Sequence, residues 1–425
     1  MKFFFIMKIS DIYKKFLEFP NISTDSRAIK KNSLFFALKG KNFNGNEYAK
    51  EALKKGAKFA IIDEVKHKID DNYLLVNDVL KTLQDLASFH RNHLEIPIIG
   101  ITGSNGKTTS KELITSCLSS ELNTAYTKGN YNNHIGVPLT LLEITDKHEI
   151  GIIEMGANHQ GEIKFLCEIA KPNYGVITNI GKAHLEGFKN FEGVKKTKKE
   201  LYDYIKKTEG QIFINSDDDI LLDISQGIKS IRYGKKGNFI GSEVSTSVFC
   251  EVIYDNYEIK SHLIGDYQFY NIMLAIAIAK YFKIKEKNIF KSIESYKPNN
   301  NRSQVIDSGN NLIILDAYNA NPSSMNKMIN SFYKIKKENK ICILGDMGEL
   351  GKFSQNEHSD IVNLINSLKI TTYYIGEEFC QATSINSFKD SEDFKDFLKT
   401  HTIRNSTILI KGSRSQQLEK LVDLL

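Results

Sequence analysis

Cysteine is scarce in this sequence: five among 425 residues, at Cys117, Cys167, Cys250, Cys342 and Cys380. They are odd in number, far apart and include no CxxC pair, so neither a disulfide framework nor a zinc site is expected and a reducing compartment suits them. An excess of one charge is missing too. The 57 Lys and Arg against 51 Asp and Glu leave a net +6, scattered in short pairs such as Lys54 with Lys55 and Lys206 with Lys207. A nucleic-acid footprint would be concentrated, so no nucleic-acid partner is expected and small anionic molecules fit better. Long apolar runs are absent as well. MKFFFIM at the N-terminus is about half the length of a signal-peptide core, and Lys8, Asp11, Lys14 and Lys15 follow it without a small-residue cleavage pattern. A cytoplasmic protein with no membrane partner is expected, with Met1 and Met7 both open as the start. No fixed-period repeat or low-complexity tract occurs, which excludes solenoids and fibrous arrays.

What is present is an ordinary globular composition, 41% apolar and 25% charged. At roughly 150 residues per domain the length corresponds to about three domains. From Ser33 the chain reads SLFFAL, an amphipathic NEYAKEALKKGAK, KFAII, YLLV and a helical VLKTLQDLASFHRN, which together predict a small α/β domain over residues 1–95. IPIIGI, Gly151 to Met155 and Tyr174 to Ile180 are buried-strand runs separated by helical stretches, the alternation of a parallel sheet covered on both faces, over residues 96–300. YKPNNNRSQ is a linker. Beyond it LIILDA, KICILGD, TTYYIG and TILIKG alternate with helical segments, one with a stripe of Ile361, Leu364, Ile365 and Leu368, and predict a doubly wound third domain over residues 301–425.

The strongest local signal is IIGITGSNGKTTSKELI, a buried strand entering a glycine turn and then a helix with Leu113, Ile114, Cys117 and Leu118 on one face. Gly103, Ser104, Asn105 and Gly106 let backbone amides converge on phosphate oxygens at a helix N-terminus. Lys107 reaches the outer phosphates, and the Thr108 hydroxyl, beside Thr109, can ligate magnesium. The strict GxxxxGK[ST] pattern fails, because Ile101 stands at the first glycine position, so a variant loop is implied.

Glu154 ends the strand GIIEM, where it is either a magnesium ligand facing the same crevice or a solvated loop carboxylate. TNIGKAHLEGF places Asn179, His184 and Glu186 at another strand end; His184 as a metal contact is weak on its own, since magnesium prefers oxygen. In FEGVKKTKKELYDYI, Lys198 shares the apolar face of Val194, Thr197, Leu201 and Ile205. It is either a snorkelling lysine or an amine whose lowered pKa lets it take up carbon dioxide as a carbamate.

Taken in order, TDSRAIKKNSLFFALKG, TGSNGKTT, GNYNNHIGVPLT, EMGANHQGEI, TNIGKAHLEGF, LDAYNANPSSM, LGDMGELG and KGSR resemble the Mur ligases, ATP-dependent amino-acid or peptide ligases of peptidoglycan synthesis, over nearly the whole chain. AYNANPSSM and LGDMGELG resemble the dipeptide-adding branch, and the aspartate-tyrosine-alanine-histidine stretch of the enzymes that add the third residue is absent near Asp316. The resemblance implies an α/β architecture with an N-terminal domain for a uridine nucleotide sugar, a central phosphate-loop ATPase domain and a Rossmann-like C-terminal domain for the incoming dipeptide. It implies ATP with two magnesium ions, UDP-N-acetylmuramoyl-tripeptide and D-alanyl-D-alanine as partners, and action as a monomer. Residues 103–109 would hold the ATP phosphates, Thr108 and Glu154 one magnesium, and His184 with a carbamylated Lys198 the second. Asn271 and Arg302 correspond to positions near the adenine and the phosphates. Asn319 and Asn321 would face the cleft from the third domain, and Ser26 and Arg27 would meet the uridine nucleotide. Where relatives carry a histidine and an asparagine before Asn271, this chain has Tyr267 and Gln268. Hinges are expected near Ile96 and Asn300.

Overall fold

The structure, a computed structural model, describes residues 6–244 and 249–425. Met1 and most of the MKFFFIM run therefore lie outside the described residues.

In the N-terminal part, the strands Asn21–Ser23, Ser33–Phe36, Phe59–Ile62 and Tyr73–Leu75 pair in that order as a parallel sheet. All four residues of Ser33–Phe36 are buried, as a strand covered on both faces requires. One cover is the helix Val79–Arg91, started by Asp78, whose side chain accepts the Lys81 N–H at 2.8 Å. The other is Ala49–Lys54. The amphipathic stretch around it is α-helical only over that half, because the Asn44 side chain accepts the Asn46 N–H and starts a 3-10 turn, Gly45–Tyr48, while Gly56 at φ 108° ends the helix. An additional helix, Ile9–Glu18, precedes the sheet and buries Ile12, Tyr13 and Phe16.

The central sheet has nine strands. Thr124–Tyr126, Ile150–Glu154, Ile98–Thr102, Tyr174–Ile177, Gln211–Asn215, Lys229–Gly234 and Phe239–Val244 run parallel in that spatial order. Phe249–Tyr254 and Tyr257–Ile264 extend it antiparallel. The expected parallel sheet is thus a mixed one. Between the last two strands the two-residue loop Asp255–Asn256, with φ of 48° and 62°, reverses the chain too tightly for any crossover helix. The helix Gln268–Tyr281 is buried along almost its whole length and packs against Lys107–Leu118, which brings Asn271 up to the glycine turn.

The C-terminal sheet runs Gln304–Asp307, Asn311–Asp316, Ser406–Lys411, Lys340–Gly345, Thr371–Ile375 and Ser387–Phe388, parallel except for the first strand. Phe394 and Leu398 of the helix Ser391–Thr400 close one side of its core with Ile343, Ile408 and Ile410. The carboxyl ends of the central strands and the start of this third unit face one another across a cleft of about 1080 Å³.

Candidate active site

The strand Ile98–Thr102 stays extended through Ile101, which pairs with Val176 on one side and Glu154 on the other. The turn starts only at Gly103, so a glycine two residues earlier has no function here. Gly103 has φ 147°, and a Cβ there would lie 2.0 Å from Thr178 Oγ1. Gly106 has φ 79° and caps the helix Lys107–Leu118. Both positions therefore exclude a side chain. The intervening backbone is locked to the neighbouring strand end: Asn179 Oδ1 accepts the Asn105 N–H at 3.1 Å, its Nδ2 donates to Asn105 O at 2.9 Å, and Thr178 Oγ1 donates to the same oxygen at 2.6 Å. Ser104 Oγ donates to Gly181 O at 3.0 Å. A turn held in this way presents its free amides, with the positive end of the helix, to an anion at no cost of reorganisation.

Lys107 folds back onto this turn, its Nζ 2.6 Å from Gly103 O and 3.3 Å from Ser104 O. Burial lowers its pKa, Glu154 opposes the shift and Arg302 adds to it. Across the turn the Glu154 carboxylate is 1% exposed. Its Oε1 accepts from Asn132 Nδ2 at 2.9 Å and from Thr108 Oγ1 at 3.3 Å. Among the described residues its Oε2 has no hydrogen-bond partner, and neither have Asn105 Nδ2 and Arg302 Nε. All three residues line the cleft. Buried polar atoms left open around one cavity mark the place of a polar ligand. A hard cation at Glu154 Oε2, next to the Thr108 hydroxyl, fits this donor set. Among the described residues no three His, Cys, Asp or Glu side chains meet closely enough to hold a metal unaided. Such a cation would complete its shell with phosphate oxygens and water.

Lys198 lies beneath this surface in the helix Phe191–Lys207, 1% exposed, 5.4 Å above the Phe188 ring and, among the described residues, without an ion pair or side-chain hydrogen bond. Burial and the charge of Lys107 push its amine well below the usual lysine range, against weaker pulls from Glu200 and Glu162. His184 flanks the same Phe188 ring, with centroids 6.1 Å apart, and its Nδ1 pairs with Glu349 of the C-terminal unit. Contact with the imidazole holds the Glu349 carboxyl below its ordinary value.

Ser104 to Thr109, Glu154, His184, Asn271, Arg302, Asn319 and Asn321 all line one cleft, whereas Gly103 and Lys198 are not among its lining residues. Asn271 is oriented by Ser110, whose Oγ donates to Asn271 Oδ1 at 3.0 Å, and by Gln268, whose Oε1 accepts from Asn271 Nδ2 at 2.6 Å. Tyr267 lies between Ser303 and Met328, its hydroxyl 3.5 Å from Ser303 Oγ. The Arg302 guanidinium stacks on Tyr318, 3.8 Å above the ring. The Asn321 amide is already engaged: Oδ1 caps the helix Pro322–Lys334, and Nδ2 donates to Asn105 Oδ1 at 2.8 Å. Asn319 Oδ1 accepts the Ala320 N–H at 2.9 Å. Ser26 and Arg27 lie elsewhere. Arg27 is exposed and paired with Asp25 at 2.7 Å, beside a second cleft of about 1510 Å³ lined by Thr24, Asp25, Lys128 and Tyr131. Sequence reasoning missed Asn132, Glu349 and the wholly buried Lys111. Asn132 belongs to a motif that equally suits a plain turn, and Lys111 lies one turn beyond Lys107, a spacing that signals a shared helix face.

The fold and the cleft define a phosphate-loop enzyme of three α/β units, and the chain belongs to the Mur ligase family. The family's catalytic, middle and glutamate ligase domains match residues 18–91, 101–279 and 301–414. The chain is similar to the UDP-N-acetylmuramoyl-tripeptide–D-alanyl-D-alanine ligase of Bacillus subtilis, 32% identical over 94% of this chain and 92% of the relative. Crystal structures of MurF from Acinetobacter baumannii and, with ADP, from Thermotoga maritima superpose with TM-scores of 0.84 and 0.83. They are 29% and 27% identical, covering 95% of this chain and 92% and 96% of theirs.

Proposed function

We propose that this chain is an ATP-dependent ligase that joins D-alanyl-D-alanine to UDP-N-acetylmuramoyl-tripeptide and forms the pentapeptide precursor of peptidoglycan. The observation that carries the reading is the phosphate loop, with Thr108 and the open Glu154 oxygen, facing the C-terminal unit across one cleft. Its combination with relatives of that activity over nearly the full length gives the loop a chemistry.

A carboxylate in water is a poor acyl donor, because it is already negative and its oxygen is a poor leaving group. Transfer of the terminal phosphoryl group of ATP to the tripeptide carboxylate breaks the bond to the β-phosphate, releases ADP and gives an acyl phosphate. The dipeptide amine attacks it, and phosphate leaves from the tetrahedral intermediate. In this chain residues 103–109, through the free amides from Gly106 to Thr109 and the Lys107 ammonium, hold the phosphates and neutralise charge that develops between two anions. Asn271 and Arg302, which line the same cleft, would meet the nucleotide beyond its phosphates. The open Glu154 oxygen and Thr108 would hold one magnesium ion, and His184 with a carbamylated Lys198 a second; the ions supply Lewis-acid neutralisation of the phosphates. Ser26 and Arg27 would meet the uridine nucleotide, and Asn319, with the Asn321 helix start, the dipeptide side. We place the enzyme in the cytoplasm as a monomer; no helix among the described residues is long and apolar enough to cross a membrane.

The test is phosphate release from ATP by the purified chain with UDP-N-acetylmuramoyl-tripeptides ending in lysine or diaminopimelate, offered D-alanyl-D-alanine or single amino acids. Turnover with the dipeptide is expected. Turnover only with a free amino acid indicates another ligase of the family, and ATP hydrolysis without any acceptor a nucleotide switch.

A further inference from the structure

The helix Lys107–Leu118 carries two lysines one turn apart, and only Lys107 touches the phosphate loop. Lys111 is 0% exposed. Its ammonium donates to Thr127 O at 2.6 Å, pairs with Glu112 at 2.9 Å and stands 4.0 Å from Glu154 Oε2, the carboxylate oxygen without a hydrogen-bond partner. Thr127 touches the same residue from behind, since its Oγ1 accepts the Glu154 N–H at 2.9 Å. A carbonyl needs only a neutral donor, and an ammonium is costly to bury. The charge at this position therefore has a use beyond satisfying Thr127.

We propose that Lys111 is a positioning residue acting as a built-in counter-charge to Glu154: it opposes capture of a divalent cation at the carboxylate until a nucleotide brings its own negative charge. Asn132 and Thr108 occupy Oε1, so an arriving cation meets Oε2, and there it also meets an ammonium at 4.0 Å. Burial keeps this repulsion unscreened. Glu112 offsets part of it from the helix surface, and Lys107 adds to it from the cleft. A triphosphate reverses the local field, so metal and nucleotide enter together. This inference rests on the reading of Glu154 as a metal ligand.

The test is titration of Mn²⁺, followed by electron paramagnetic resonance, on the full chain without nucleotide, and needs neither the uridine substrate nor the dipeptide. Lys111→Gln keeps a donor for Thr127 but removes the charge, and it is expected to bind Mn²⁺ alone at least ten-fold more tightly than the unaltered chain. Lys111→Arg is expected to match the unaltered chain, and Glu154→Gln added to Lys111→Gln to abolish the gain. A structural role alone would not tighten metal binding. Equal Mn²⁺ affinity in Lys111→Gln and the unaltered chain, with ATP binding in EDTA intact in both, overturns the proposal, as does a gain that survives Glu154→Gln. If Lys111→Gln does not fold, the partly exposed Glu112→Gln replaces it. Leaving Lys111 uncompensated, it is expected to weaken Mn²⁺ binding in the presence of ATP several-fold, and no change overturns the proposal. Failure of the ligase reading shows instead in the acceptor assay.

Discussion

Replacing Lys198 by methionine is expected to make the protein more stable and less active. The residue is 1% exposed, its amine has neither ion pair nor hydrogen bond among the described residues, and burial and Lys107 lower its pKa well below the ordinary range. The unfolded chain holds its proton up to about pH 10.4. Between the two values the unfolded state binds the extra proton, so Lys198 destabilises the fold, by an amount that grows as pH falls from about 10.4 and levels off below the folded-state value. Each tenfold loss of proton affinity on folding costs about 1.4 kcal/mol, and replacing buried ionic groups by apolar side chains of similar volume ranges from neutral to about 1–4 kcal/mol of gain. A gain of about 2 kcal/mol at pH 7 is the working magnitude, and at about 2–4 °C per kcal/mol for a domain of 150–250 residues it raises Tm by about 4–8 °C. Thermal unfolding of both proteins in CO2-free buffer at pH 7 and pH 10 measures it, with the gap closing at the higher pH. Bicarbonate should stabilise the unaltered chain and leave Lys198→Met unmoved, because a carbamate forms only on the neutral amine. A variant no more stable at pH 7, or a gap equal at both pH values, refutes the reasoning. Ligation by the variant should fall at least about 100-fold, the stability cost of a functional group placed for chemistry rather than packing.

Gly103→Ala, which drives a Cβ to 2.0 Å from Thr178 Oγ1 at φ 147°, should lose more than about 3 kcal/mol of stability together with ATP binding. Gly129→Ala, at φ 52° with open space around it, should cost about 1 kcal/mol; calorimetry on both checks the contrast. Arg91→Ala removes bonds of 2.7–3.1 Å to Leu94 O, Ala170 O, Lys171 O and Asn173 Oδ1 and should cost about 3–5 kcal/mol by chemical denaturation. Arg91→Lys should recover little, since an ammonium cannot reproduce the fork. Glu349→Gln unpairs His184 at a half-exposed contact, so stability should change by less than about 1 kcal/mol. Its kcat should fall while the KM for ATP holds, and a loss of stability with unchanged kcat would contradict a role for this pair in turnover.

The phosphate loop was legible because its requirements are local. A buried strand, glycines at Gly103 and Gly106 and the cap of a helix are all written in adjacent residues. The inward face of Lys198 was legible for the same reason, as helix periodicity places it with Val194 and Leu201. Its isolation was not, because that depends on Phe188 arriving from another segment. The pairing of Glu349 with His184, and of Asn321 with Asn105, joins residues 165 and 216 positions apart, where no periodicity reaches. The hairpin around Asp255 and Asn256 carries its turn signal in two residues without glycine, and so it escapes a search for glycine-marked turns. The helix Ile9–Glu18 follows the apolar run at the terminus, which drew attention to targeting rather than to the period of Ile12, Tyr13 and Phe16.

Of the two expected hinges, the packing favours the one near Asn300. At the other junction, Arg91 is buried and its guanidinium is spent on carbonyls at the end of the helix Glu162–Ala170 and on Asn173, which also accepts the Ile98 N–H. His90 adds Nε2 at 2.8 Å from Ile144 O. Opening there would strand several buried polar groups at about 1–3 kcal/mol each. The central and C-terminal units meet through the Tyr267 contact with Ser303 and Met328 and through Lys182 with Glu357, Asp266 with Lys334 and His184 with Glu349, ion pairs in which at least one partner is about half exposed. Such pairs are worth about 0–1 kcal/mol each and exchange readily for water. The Asn105–Asn321 bond lies at the cleft, so separation of these units also releases the phosphate loop. Rotation of the C-terminal unit about residues 296–303, with the first two units moving as one body, is therefore the expected response to nucleotide and dipeptide. Solution scattering with distances measured between labelled pairs should show it, and a larger change between the first two units than between the last two would contradict the argument.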